Sequence, residues 1–345
     1  MTMELVNDEE RIYEFVTKRM GVPQQIAEKM LDKYRKLKEY GDVFAPDAKR
    51  VPFDTYINNL ESVLKQVLAE LRKMRSVEER RRWILENVKL STPKKVSGRE
   101  GEEKIYSWAI PAFLTCPGYD EFCIAMCYAL KNRYAVDKRI IRSRVINFLA
   151  SLLPEFPEVM VRKIEEVVRK TGVPIFRLHD SGNFYTISFV KHMLEKLDID
   201  PRELKELLGV DLDKLPEDCY VLQWRKIVER LPNVQFYTYT RTWRLLPIFK
   251  SIEKHLLPLK NFVLYLSVDK PVAKIENELR DALELAKRYR NVKIAWTGVI
   301  PPPGTVYAIC PYELGRILNN PNIQKTCTQC KICAYGKIDV FFPVH

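Results

Sequence analysis

Residues 262–296 read FVLYLSVDKPVAKIENELRDALELAKRYRNVKIAW. Residues 262–267 (FVLYLS) are an apolar-rich run of strand length, and 292–296 (VKIAW) is another. Between them, 272–289 carries a helical pattern. A strand, a helix and a strand in succession predict two parallel neighbours joined by a right-handed crossover. The alternation continues towards both ends. Strands are expected at 105–114 (IYSWAIPAFL, weakened or bent by Pro111), 173–178 (VPIFRL), 234–239 (VQFYTY) and 306–309. Helices are expected over 137–153, 158–171, 189–197, 220–231 and 243–255. Five or six such units predict an α/β fold with parallel strands, a partial or irregular (β/α) barrel over 105–309.

Residues 1–95 read differently, as an all-helical N-terminal extension without cysteine. Periodic stretches run over 9–19, over 24–40 up to Gly41, and over 53–90. In the last, Leu60, Val63, Leu64, Val67, Leu68, Leu71 and Met74 recur at three- and four-residue steps, the stripe of an amphipathic helix. Glu78-Glu79-Arg80-Arg81-Arg82 fits a solvated, self-pairing face. The polar segment 91–101 reads as a linker.

The chain has 345 residues, 46% apolar and 30% charged, the composition of a soluble globular protein. No run is long and apolar enough for a membrane helix, and the acidic start, MTMELVNDEE, lacks a signal-peptide core. A cytoplasmic location follows as the expectation, and in a reducing compartment clustered cysteines suggest metal rather than disulfides. The formal charge of +12 favours an anionic partner such as nucleic acid. Lys and Arg are interleaved with Glu, however, as on the solvated helix faces of thermophile proteins. No nucleic-acid-binding module, P-loop, G-x-G-x-x-G or H-E-x-x-H motif is present.

Seven of the eight cysteines fall into two sets. The C-terminal one, in residues 310–345, is Cys310-Pro311 followed by Cys327-x-x-Cys330-x-x-Cys333. Two-residue gaps return successive thiolates to one side of a tight turn. A C-x-x-C-x-x-C run with a remote Cys-Pro uses the elements of bacterial ferredoxin ligation in the opposite chain order. Four thiolates also make a closed zinc site, so zinc stands as the alternative there. The first set, Cys116, Cys123 and Cys127, follows the first expected strand. Asp120 can cap the next helix, placing Cys123 and Cys127 one turn apart. Three thiolates can hold three corners of a four-iron cluster and leave one iron open. The opposing reading of Cys123 and Cys127 is as small core residues. Cys219 stands alone and reads as structural.

The expected strands end in polar residues, where a parallel sheet carries its reactive groups. These are Cys116, then His179-Asp180-Ser181-Gly182-Asn183, Thr240-Arg241, Ser267 with Asp269, Thr297-Gly298 and Cys310. The bland alternative is a set of strand-end turns that satisfy their own backbone groups. Arg241 can clamp a carboxylate or phosphate beside Tyr239, or form an ion pair, and Asp269 can cap a helix. His192 and His255 read as surface or core residues, and His345 as a free tail.

Thr115-Cys116-Pro117, Cys127-Tyr128-Ala129, residues 177–184 (RLHDSGNF), 237–241 (YTYTR), Cys330-x-x-Cys333 and 342–345 (FPVH) resemble the phage "gene product 88" family. That family occurs in phages, archaeal viruses and plasmids, and the likeness covers about 105–345. Its cysteine layout is similar to that of radical S-adenosylmethionine enzymes, although those usually show C-x3-C-x2-C and this chain has C-x6-C-x3-C. The family has Gly-Asp-Phe where this chain has Gly182-Asn183-Phe184. The resemblance implies two [4Fe-4S] clusters, S-adenosylmethionine and an electron donor. On this reading His179, Asp180 and Arg241 are the expected catalytic residues, and Ser181, Gly182, Asn183, Tyr239, Thr240 and Asp269 the expected cofactor contacts, the resemblance itself placing the 179–183 loop near the cofactor. The rival reading is a nucleic-acid-binding or scaffold protein stabilised by structural metal.

Overall fold

The computed structural model describes residues 51–92, 104–120, 123–124, 127–131, 133–269, 276–297, 301–317, 322 and 324–342, with Gln24 and Glu28. The helix expected over 9–19, and that over 24–40 apart from those two residues, lie outside them, as do 93–103 and His345.

A seven-stranded sheet organises the chain: β1 Tyr106–Ala109, β2 Ile175–Ser181, β3 Gln235–Thr240, β4 Phe262–Val268, β5 Val292–Thr297, β6 Tyr307–Ile309 and β7 Asp339–Phe342. Every ladder is parallel, and the order is β1-β2-β3-β4-β5-β7-β6. The α/β class with parallel strands is therefore established. Among the described residues no ladder joins β1 to β6, so the hydrogen-bonded sheet is open between its ends.

Alternate residues of the strands enter two cores, as the pleat requires. Phe236, Leu264, Leu266, Val268, Ile294 and Trp296 join the main core with the helices. Ile175, Tyr237, Val263, Tyr265, Ala295, Val340 and Phe342 form a second core on the other face. Successive right-handed crossovers put the helices on one side and leave the other for something else. The cysteine-rich segment fills it. The helix Ile332–Tyr335 lies against β2, β3 and β4, with Cys327, Ile332 and Cys333 packed on the second core. Gly336 sits so close that a Cβ there would come 2.7 Å from Val263 Cγ1.

The expected stretch 53–90 is two helices, Phe53–Arg72 and Val77–Glu86. The break falls at Ser76, whose Oγ accepts from Glu79 N at 3.1 Å as an N-cap. The stripe from Leu60 to Leu71 is buried against the helix Lys138–Ser151. Asn147 of that helix binds Lys89 through N–H and carbonyl and also donates to Ala109 O at 2.8 Å. These helices thus share the main core with the sheet.

Candidate metal and cofactor site

β1 ends at Ala109, and the chain turns back through Phe113 at φ 67°. Thr115 Oγ1 donates to Pro111 O at 2.6 Å and closes the turn that presents Cys116. Asp120 Oδ1 then accepts from Cys123 N at 2.8 Å, and Cys127 N donates to Cys123 O at 2.8 Å. The capped single turn expected from spacing is present, with Cys123 and Cys127 one turn apart. All three thiols are half-buried and within electrostatic reach of one another. Burial, then the neighbouring cysteines, pushes the Cys116 thiol far up; burial first among several influences raises Cys127 to about 11. Free thiols here stay protonated, and a bound cation would be what ionises them.

The C-terminal set is also assembled. Thr326 and Gln329 form a capping box around the turn Cys327–Cys330, and Lys331, at φ 56°, starts the next helix. Cys310 closes β6, donating its N–H to Phe341 O at 2.9 Å. Burial pushes the Cys333 thiol far up, with Cys327, Cys310 and Cys330 adding to it and a hydrogen bond from Tyr239 opposing it. Tyr239 therefore stands against Cys333. The Arg177 guanidinium lies over its ring at 5.3 Å, and the Tyr265 ring is 5.2 Å away.

Arg241 joins the strand ends to the first set. Its Nη1 donates to Asp120 Oδ1 at 2.9 Å and to Cys123 Sγ, and its Nε pairs with Asp269 Oδ2 at 2.5 Å. Of the two expected roles of the arginine, these contacts are those of the ion pair, since both carboxylates are the protein's own. Asp269 is buried in that pair.

The loop after β2 holds the first cysteine loop. Ser181 Oγ donates to Ile110 O at 2.8 Å, and Asn183 N donates to Thr115 O at 3.0 Å. Gly182, at φ 77°, leaves no room for a side chain: a Cβ would lie 2.3 Å from Ile110 Cγ1 and 2.6 Å from Thr115 Oγ1. Thr240 Oγ1 donates to Asn183 Oδ1 at 2.8 Å. His179 faces the helix layer instead. Its Nδ1 meets Thr238 Oγ1 at 3.1 Å and its Nε2 meets Tyr220 Oη at 3.0 Å. Burial, then Arg177, lowers its pKa to about 3, so it is neutral. Asp180 is 4% exposed, and its Oδ2 has no hydrogen-bond partner among the described residues.

Sequence spacing does not single out Arg144 or Arg177. Arg144 stands in a buried run with Ile141, Val145 and Phe148, and a cation on an apolar stripe is the signal that marks it. Among the described residues no three His, Cys, Asp or Glu side chains converge tightly enough to hold a single metal ion.

Parallel α/β topology, a cysteine triplet after the first strand and a cysteine quartet against the sheet define the class of protein. A sequence model of the Gene product 88 family matches residues 78–202 and 211–336, and the chain belongs to that family. The match takes in the helix Val77–Glu86, upstream of the motifs at 105–345. The chain is 22% identical over 242 residues to "Gene 88 protein" of Mycobacterium phage L5, covering 66% of this chain and 81% of the relative. The "Gene 88 protein" of Mycobacterium phage D29 is similar at the same identity and coverage. No solved structure matches.

Proposed function

We propose that the chain is an iron–sulfur protein, a radical S-adenosylmethionine-like enzyme whose sheet is the wall of a partial β/α barrel. One observation carries this reading: residues spread over more than two hundred positions bring seven cysteines into two mutually interacting sets. Cys116, Cys123 and Cys127 would hold a cluster with one open iron. Cys310, Cys327, Cys330 and Cys333 would hold a closed one. Given a one-electron donor and bound S-adenosylmethionine, the open cluster would supply a radical able to abstract hydrogen from a substrate.

The chain's own residues then have definite tasks. Asp120 and Arg241 orient Cys123, Gly182 and Asn183 brace the Cys116 loop, and Tyr239 donates a hydrogen bond to Cys333. The buried Asp180 side chain, with Oδ2 unbonded among the described residues, offers a hydrogen-bonding contact for a polar ligand. A lone zinc ion needs its sulfurs about 2.3 Å from one point, whereas each thiolate of a cluster binds a different iron. The charge of +12 supports a nucleic-acid substrate.

Anaerobic purification with iron, sulfide and zinc analysis tests the reading. A brown protein with about eight irons per chain is expected for two four-iron clusters. Stoichiometric zinc without colour overturns it. Cys123→Ala should abolish cleavage of S-adenosylmethionine and retain the C-terminal cluster's iron.

A further inference from the structure

The helix Lys138–Ser151 carries three arginines, and two have ordinary surface surroundings. Arg139 is bound to Asp137, Arg142 forms a two-pronged pair with Glu70 at 2.7 and 2.6 Å, and together with Lys138 they face outward. Their exposure separates them from the remaining one, Arg144, which is 3% exposed. Its guanidinium lies over the Tyr134 ring at 4.8 Å, and its Nη1 has no hydrogen-bond acceptor among the described residues. Among the described residues no carboxylate pairs with it. A buried guanidinium stays charged, because arginine does not deprotonate in proteins, and an unmet buried charge is expensive.

Cys127 and the Tyr56 hydroxyl lie within electrostatic reach of Arg144. Tyr56 is fully buried, which pushes its pKa far up, so its hydroxyl stays neutral and supplies no charge. The other arginine at the first cysteine set, Arg241, already has two carboxylates, Asp120 and Asp269. Arg144 is thus a buried cation near Cys127 that, unlike Arg241, is paired with no carboxylate among the described residues. Three thiolates outweigh a core bearing two positive charges, so a loaded cysteine set would be anionic.

We propose that Arg144 is the counter-cation of an anionic metal–thiolate group held by Cys116, Cys123 and Cys127. It is a positioning residue that sets the charge balance of that group. This rests on the reading of the first set as a metal site. It goes further in assigning the compensating charge to a residue that no motif marks.

The test uses full-length protein reconstituted anaerobically with iron and sulfide, beside the same protein stripped by chelator. Arg144→Met removes the charge and keeps the bulk; Arg144→Lys keeps the charge. In R144M, iron of the first set should be lost to chelator at least about tenfold more readily, as for loss of a group supporting a metal ligand. The iron of the C-terminal set should stay. The stripped R144M protein should melt higher than stripped wild type, and its gain on loading should shrink. R144K should track wild type in both measurements. Should R144M not fold, Arg144→Gln carries the same comparison. Equal iron retention and melting gain in R144M and wild type overturn the assignment of Arg144 alone. A wild-type protein that takes no metal at the first set overturns the site and the assignment together.

Discussion

Asn183 donates its backbone N–H to the carbonyl of Thr115 at 3.0 Å, one residue before Cys116. The polar run after β2 is thereby part of the first cysteine loop's foundation. Gly182 and Ser181 press on the same loop at Ile110 and Thr115.

Gly182→Ala should therefore loosen that loop. The added Cβ meets packed atoms at a left-handed backbone position, and strain with overpacking should cost about 2–4 kcal/mol. Gly172→Ala is the control, because Gly172 has a similar φ of 69° with nothing within 4 Å of a Cβ. It should cost about 1–2 kcal/mol. Urea denaturation of both variants checks the difference, and equal costs would refute the close approach.

His179 predicts a pH dependence of stability. Its folded pKa of about 3 lies below the ordinary value of 6.5, so the unfolded chain binds the extra proton between them. The stabilisation is complete above pH 6.5 and is lost as the pH falls towards 3. Each unit in that window should remove up to about 1.4 kcal/mol. Stability curves of wild type and His179→Gln should converge on acidification, and parallel curves would count against a buried neutral imidazole.

Asp120→Ala removes the cap on Cys123 N and one carboxylate of Arg241. Loss of the cap alone should cost about 1 kcal/mol. The turn between Cys123 and Cys127 should fray, so alkylation of Cys123 in the metal-free protein should quicken while that of Cys330 is unchanged. Peptide mass spectrometry reads both rates in one sample.

Tyr239→Phe deletes the hydrogen bond to Cys333 and little else. Metal affinity at the C-terminal set should fall about tenfold, the lower end for outer-shell partners of metal ligands. The first set should be unaffected. Chelator competition followed by metal analysis distinguishes that outcome from a general loss of fold.

Local signals were legible in the sequence and long-range ones were not. β2 to β5 lie where apolar-rich runs predict them, because strands of a parallel sheet covered on both faces need apolar residues throughout. β1 is shorter than 105–114, since Pro111 cannot donate to a ladder. β2 runs three residues past 178 because the left-handed His179 lets the strand bulge rather than end. β7 (DVFF) and the helix Arg202–Leu208 have no counterpart among the expected elements; each is too short for its periodicity to stand out. In the site, the turn from Asp120 to Cys127 follows from spacing alone. The meeting of Arg241 with Asp120 and Asp269, and the burial of Arg144, depend on segments far apart in the chain.

The strand order has a consequence for how the molecule is made. β6 precedes β7 in the chain, yet β7 lies between it and β5. During synthesis Tyr307–Ile309 must wait without a partner until Asp339–Phe342 emerges. The segment made in the interval carries Cys327, Cys330 and Cys333. Completion of the sheet thus waits on that segment, and a ligand gathering those cysteines would act as its clasp.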